Sequence, residues 1–442
     1  MKHMLTRRSV LGASAAAAIT LGLAACGGSG GANNEKAEDG KFHLKFSTWS
    51  DAPEFSALAE AFTAANPDIV VDLVDYNAKE YDTQLTADLA GGTGPDIITI
   101  KNLYKIFDYV EGGMVADLTD IANEYKGDDN LSLSPLEIDG KYYNLPFRSD
   151  AYVVYYNKTL IEKVGETVPD GNWTWEDFNN YAINLSKKFE EAGLDAKGAF
   201  IQPWPGLVQG FAISQTPGAF ESGADQSGDL AYLKPFYKNA LALQDNGGTE
   251  TFSTAQAGEL HYKALFNSQK AALVPIGTWF MGMAAKAQQE AAEADKFEWG
   301  ILPAPQVDSS TFSKPVTFGS PTTAGVNAAL EGEKLEAAKK FVKFMCSEEA
   351  AKAVAAVGVS PAYVNDAVVD ELFAGKGMPQ DELSKKAYSN RVTTLETTLT
   401  KETGKAVQIL TEAHSAIMTE STPLDEAIAT ADEAEKNQGV VK

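Results

Sequence analysis

Between Phe42 and Ile100 the chain alternates two hydrophobic periods, and that alternation limits its fold more than any other feature. FHLKFST, from Phe42, alternates apolar and polar residues as a half-buried strand does. Phe55, Leu58, Ala59, Phe62 and Ala65 then recur at helical spacing behind Pro53, a residue suited to a first helical turn. IVVDLVDY reads as a second strand, Tyr81, Leu85 and Leu89 as a second helix, and GGTGPDIITI as a turn followed by a short buried strand. Strand alternating with helix at this spacing predicts an α/β sheet with parallel pairs. Later segments are richer in helix. NWTWEDFNNYAINLSKKF opens with Thr174 as an N-cap and Asp177 three residues on, the spacing of a capping box. YYNLPF, YVVYYN, AALVPI and FEWGILP are short strand candidates. The tail from Lys405 to Lys436 reads as helical, with Thr422 capping its last helix and Pro423 at the first helical position.

The first residues read as an export signal. Lys2, Arg7 and Arg8 make a positive start, Val10 to Ala24 is charge-free, and Leu23-Ala24-Ala25-Cys26 closes the run. The stretch is short for a membrane span and leads into Gly and Ser, not a basic stop-transfer cluster. The tetrapeptide resembles the bacterial lipobox, which implies an acylated Cys26 and an anchor on the outer face of the cell membrane. An ordinary secretory signal is the plainer reading, and Arg7-Arg8 also permits twin-arginine export. Residues 26–40, small and polar after Cys26, are expected to form a flexible tether with a span of about 20 Å. Removing residues 1–25 leaves 417 of the 442 residues, too many for one ordinary core. Two domains, or one bilobal unit, are expected.

The formal charge of −24 argues against nucleic acid as a partner, because such a surface repels phosphate. Of two cysteines, Cys346 falls on the apolar face of LEAAKKFVKFMC and is read as core packing. His43, His261 and His414 are isolated, and there is no HExxH pair, CxxC pair, P-loop or GxSxG elbow. With 61 acidic residues, neighbouring carboxylates carry no weight as a glycosidase signal. No catalytic residue, cofactor or metal is therefore expected.

The aromatic residues are more informative. Residues 198–220 carry no charge yet include Gln202, Trp204, Gln209, Ser214 and Gln215. Trp204, between Pro203 and Pro205, is expected in a stiff loop that presents its ring. Trp279 follows AALVPI at a Gly277-Thr278 turn, and Trp49 follows the first strand. Loops after such strands line the crevice where α/β folds bind ligands. An indole face complements the C–H face of a sugar ring, and planar polar groups complement its hydroxyls. Trp173, Trp175 and Trp299, among apolar neighbours, read as packing, as do the tyrosines of YVVYYN; Trp49 suits either role.

Several segments, in order, carry a resemblance. They are FSTWSD, FTAANPDIVVDLVDY, GGTGPDIITI, GGMVADLTDI, YYNLPFRSDAYVVYYNKTLIEKVG with WTWEDF, GTWFMG, FEWGILPAPQ, and TFGSPTTAGVNAALEGEKLEAAKKFVKFMCSEEAAKAVAAVGVSPA. Together they resemble the extracellular solute-binding proteins of ABC sugar importers, the group similar to maltose-binding protein. The resemblance implies an α/β, two-lobed periplasmic-binding-protein-like fold of type II, with mixed sheets, flanking helices and a hinge. It implies lobes 41–147 plus 302–347 and 148–301 plus 348–442, with crossings near Pro146–Arg148, near Leu302–Ala304 and after the helix containing Cys346. Ligand-binding positions implied by the matching motifs are Trp49, Asp51, Lys101, Asn102, Arg148, Asp150, Trp279, Phe318 and Gly319, with Trp204 and Arg391 in variable positions. Lys101 beside Arg148 leaves an acidic sugar open. The implied function is a hinged, non-enzymatic trap. It would be monomeric, close on a carbohydrate and deliver it to a membrane permease. A polyamine or peptide ligand, or a carbohydrate-active enzyme, is the alternative.

Overall fold

The computed structural model describes residues 35–49 and 52–441; the signal segment with Cys26, and Asp51, lie outside the described residues. Eleven strands are present among them. β1 (Phe42–Trp49), β2 (Ile69–Tyr76), β3 (Ile97–Ile100), β4 (Leu145–Ser149) and β10 (Pro321–Val326) form one sheet in the order β2-β1-β3-β10-β4. β5 (Tyr152–Asn157), β6 (Lys197–Ala199), β7 (Ala271–Gly277) and β8 (Trp299–Leu302) form a second, in the order β6-β7-β5-β8. β9 (Val316–Gly319) and β11 (Val392–Leu395) pair in parallel apart from both. The expected parallel pairs are β1 with β2 and β1 with β3, while β10 runs antiparallel to β3 and β4.

The sequence pattern explains why each lobe holds. Phe42, Leu44 and Phe46 alternate into a core with Phe55, Leu58 and Phe62 of the helix Pro53–Ala65. Phe46 meets Phe55 edge to face at 5.3 Å and Phe341 at 5.4 Å. In the second lobe YVVYYN is buried along its whole length, because helices cover both faces of its sheet. Val153 and Tyr155 enter one cluster with Phe266 and Phe280, while Val154 and Tyr156 enter another with Leu185 and Phe189. Pro275 is tolerated in β7 because β6 stops short of it. Leu273 accepts from Phe200 N on that edge, so Pro275 directs its missing N–H past the end of β6.

The two sheets join where three segments run side by side. Ser149 N donates to Ser360 O at 3.1 Å, Asp150 N to Ser320 O at 3.4 Å, and Ala362 N to Phe147 O at 3.1 Å. The first crossing thus follows β4, close to the expected Pro146–Arg148. The second differs: the chain returns to the first sheet at 319–321, not at Leu302–Ala304, because β9 first packs Phe318 into the second lobe. The third lies at 360–362, one helix later than expected. The helix Glu348–Ala356 still places Ala350 and Val354 in the first core.

Local signals held with two shifts. Thr174 and Asp177 make the capping box that opens the helix Trp175–Glu191. Pro423, however, is itself the N-cap of the helix Leu424–Asn437, in an extended conformation that a first helical residue does not take. At the start, Ala37 N donates to Lys41 O and Gly40 N to Ala37 O, so this end of the expected tether is a turn. Cys346 is buried with its sulfur 3.6 Å from the Pro146 carbonyl, and burial raises its thiol pKa. Among the described residues no helix is long and apolar enough to cross a membrane.

Candidate functional site: a cleft between the lobes

The segment that follows β3 on one lobe faces the second lobe across a hollow of ≈ 290 Å³. Lys101, Asn102 and Tyr104 line it from the first lobe; Tyr152, Trp204 and Glu396 line it from the other side. A second hollow, ≈ 890 Å³, has Pro53 on one wall and Trp279 and Met283 on the other. Trp204 and Trp279 link the two, their ring centres 6.4 Å apart and inclined by 41°.

Trp204 is 37 % exposed at the start of the helix Gly206–Gln215, so its ring faces outward from the proline-bounded turn. Trp279 is held more firmly. Its Nε1 donates to Tyr262 Oη at 3.0 Å, and its ring meets Tyr152 edge to face at 5.4 Å. Trp49, the last residue of β1, is wedged against Phe55 and Tyr81 at 4.7 and 5.3 Å. Its indole also lies 5.5 Å from Lys101 Nζ and 6.0 Å from the Arg148 guanidinium, within cation–π range.

The cations are already engaged. Arg148 donates from Nε to Asp150 Oδ2 at 2.6 Å and from Nη1 to Glu54, and all three side chains are largely buried. Burial works against the Arg148 charge, but Asp150 and Glu54 outweigh it and hold the guanidinium protonated. Burial pushes the Asp150 carboxyl up, against the pull of Arg148. Thr278 donates to the other Asp150 oxygen at 3.1 Å. Lys101 donates to the Ala78 carbonyl, and Asn102 to Asp82. Burial lowers the Lys101 pKa against the attraction of Asp82. The Arg148 charge is therefore answered inside the protein and Lys101 is tied to a carbonyl, which weighs against the acidic sugar that the sequence left open.

Three expected positions do not meet the cleft as supposed. The Phe318 side chain is fully buried and stacks on Tyr152 at 4.0 Å, supporting the cleft wall from behind. Gly319 is glycine because the crossings touch there: a Cβ would fall 1.8 Å from the Asp150 carbonyl oxygen. Arg391 sits 4.8 Å over the Tyr388 ring, with Nε and Nη1 unbonded and its pKa lowered by burial. The glutamines of the uncharged run are also occupied. Gln209 donates to Tyr237 and Leu410, Gln215 to Pro305 and Val316, and Gln202 accepts from Tyr262 N. The segment after Trp204 is a buried helix, and these amides fasten it.

Tyr152, read from the sequence as packing, also lines the hollow, and Tyr262, Glu54 and Glu396 carried no expectation. Tyr152 and Tyr262 stand among other buried aromatics and carry no local mark. Glu54 follows Pro53 in a first helical turn, and Glu396 is the lone charge in VTTLETTLT; neither pattern specifies a role. The packing residues fit their expectation. Trp173 donates to the Pro303 carbonyl, and Trp299 stacks on Tyr155 at 5.9 Å. Among the described residues no group of His, Cys, Asp and Glu is arranged to hold a metal ion.

Residues 47–352 match the family of bacterial extracellular solute-binding proteins. A Brucella abortus protein named only as a binding protein is 34 % identical over 212 residues, 47 % of this chain and 44 % of that one, so the chain spans under half of that relative's length. The galactooligosaccharide-binding protein of Bacillus subtilis is 23 % identical over 436 residues, 94 % of each chain. A sugar transporter of Rhizobium etli, solved in an open conformation, superposes with a TM-score of 0.75 at 31 % identity, covering 89 % of this chain and 99 % of that one. The family match covers most of the chain, and the crossings, sheets and interlobe cleft are those of the two-lobed, type II fold: this chain belongs to the bacterial extracellular solute-binding proteins.

Proposed function

We propose that the protein captures a carbohydrate, an oligosaccharide by preference, between its lobes and releases it unaltered to the permease of an ABC importer. The observation that carries this reading is the aromatic wall of Trp204, Trp279, Tyr262 and Tyr152 beside a cleft that both lobes line. Flat rings in a water-excluding cleft suit the C–H faces of sugars, and closure strengthens each hydroxyl hydrogen bond. Two of these relatives are named as a galactooligosaccharide-binding protein and a sugar transporter, which supports the same ligand class.

Export and lipid attachment at Cys26 would keep this receptor on the outer face of the membrane, near its permease. A polyamine is the less favoured ligand, because it calls for several unpaired carboxylates, and Glu54 and Asp150 are committed to Arg148. A thermal-shift screen against saccharides tests the proposal, since a ligand that binds only the native state raises its stability. At 100 times Kd the gain is about 2.7 kcal/mol. Turnover of a bound oligosaccharide, or no shift with any saccharide, would defeat it.

A further inference from the structure

Glu396 lines the hollow of ≈ 290 Å³ between the lobes together with Tyr104, Tyr152, Trp204 and Tyr232. Among the described residues no donor or cation pairs with it. The cation nearest in kind, Lys101, is tied to the Ala78 carbonyl, and Arg148 is neutralised by its own two carboxylates. An unpaired carboxylate in a cleft that closes on its ligand is costly unless the ligand brings a compensating group.

The fold holds Glu396 in place. Its neighbour Leu395 pairs with Gly319 in the β9–β11 ladder. On the other side Asp225 Oδ2 accepts from the Thr398 N–H at 2.9 Å and from the Thr397 hydroxyl. Leu395 and Leu399 pack against the core of the first lobe, so the segment is fastened to both lobes. Gly206 opens the helix beside it, and a Cβ there would fall 2.2 Å from Glu396 Oε1. The helix start is thus cut back to admit the carboxylate.

We propose that Glu396 makes the cleft selective for saccharides that carry a protonated amino group, the ammonium binding at its carboxylate within the aromatic hollow. The aromatic faces add cation–π attraction, and a neutral hydroxyl leaves the carboxylate charge uncompensated. Burial raises the Glu396 pKa to about 7, so near neutral pH the carboxyl is only part ionised and an ammonium ligand would draw it into the charged form. This inference rests on the carbohydrate reading of the cleft and narrows it.

The test measures affinity by titration calorimetry for matched pairs that differ by one group: glucosamine with glucose, galactosamine with galactose, and the glucosamine disaccharide with cellobiose. The amino member of at least one pair should bind tenfold or more tightly at pH 7. Glu396→Gln, shown by its melting curve to be folded, should bring that ratio close to one. Lys101, Asp225, Tyr104, Tyr152 and Tyr232 line the same hollow, so pH gives a second readout. Between pH 7 and 5 the sugar amine stays protonated while Glu396 takes up a proton. The ratio should fall over this range in the parent and stay flat in the variant. Neutral members binding as well in every pair, or a ratio unchanged in Glu396→Gln, would overturn the proposal and leave the carbohydrate reading standing. Binding of putrescine or spermidine with no binding of any saccharide would overturn both, as would no binding of any probe.

Discussion

Arg148 Nε lies 2.6 Å from Asp150 Oδ2 at the point where the chain first passes between the lobes. Glu54 closes on the other side of the guanidinium, so one cation ties the first helix to the crossing. Removing one partner of a buried ionic group leaves an uncompensated charge and costs about 3–5 kcal/mol. Arg148→Met is expected to lose that much in urea unfolding at pH 7. Glu54→Gln should lose less, because Asp150 still faces Arg148. An Arg148→Met protein as stable as its parent would show that the triad does not hold the hinge.

The two cleft tryptophans should separate binding from stability. Trp204 is 37 % exposed, so Trp204→Ala should leave the melting temperature within a few degrees while weakening the best saccharide tenfold or more, about 1.4 kcal/mol. Trp279 is packed on Tyr152 and bonded to Tyr262, so Trp279→Ala should weaken binding and also lower stability. Unchanged affinity in both variants, measured by titration calorimetry, would remove the stacking argument.

Much of the frame could be read in the sequence because it rests on local rules. The alternation of FHLKFST, the spacing of Phe55, Leu58 and Phe62, and the Thr174–Asp177 cap each depend on residues a few positions apart. The cleft was half legible. Trp204 and Trp279 announced themselves through Pro and Gly turns. Phe318 misled, because whether a ring faces the cleft or the core is decided by Tyr152, distant in sequence, on which it stacks. Arg148 misled for the same reason: its charge is answered by Glu54 and Asp150, and no spacing rule connects the first helix with the first crossing. Glu396 was illegible because its meaning is the lack of a partner, which only the fold reveals.

Cys26 lies outside the described residues, yet its role can be tested apart from the cleft. Stable anchoring takes more than one acyl chain, and the lipobox resemblance implies a diacyl modification. Cys26→Ser is expected to move the protein from the membrane pellet to the soluble fraction, with saccharide affinity unchanged. Retention of the variant in the pellet would exclude this anchor.

Two buried groups should bend the pH dependence of stability in opposite directions. His414 bonds Tyr237 through Nδ1, has no partner at Nε2, and is held by burial at a pKa of about 3. The unfolded chain therefore binds a proton between about pH 6.5 and 3 that the native state refuses. Stability is full above the unfolded value and is lost as pH falls through this window, by about 4–5 kcal/mol in all at 1.36 kcal/mol per unit. Glu435 is buried beside Asp225 and Asp432, accepts from Gly228 N, and is pushed up by burial to about 7. Its contribution is present below its unfolded value and is lost as pH rises from about 4.5 to 7. Urea unfolding across pH 4–8 should show His414→Leu flattening the acid limb; Tyr237 keeps its bond from Gln209 in that variant. Glu435→Gln should gain stability over the parent at pH 8 and little at pH 4.5. An acid limb unchanged in His414→Leu would mean that the imidazole is protonated in the folded protein.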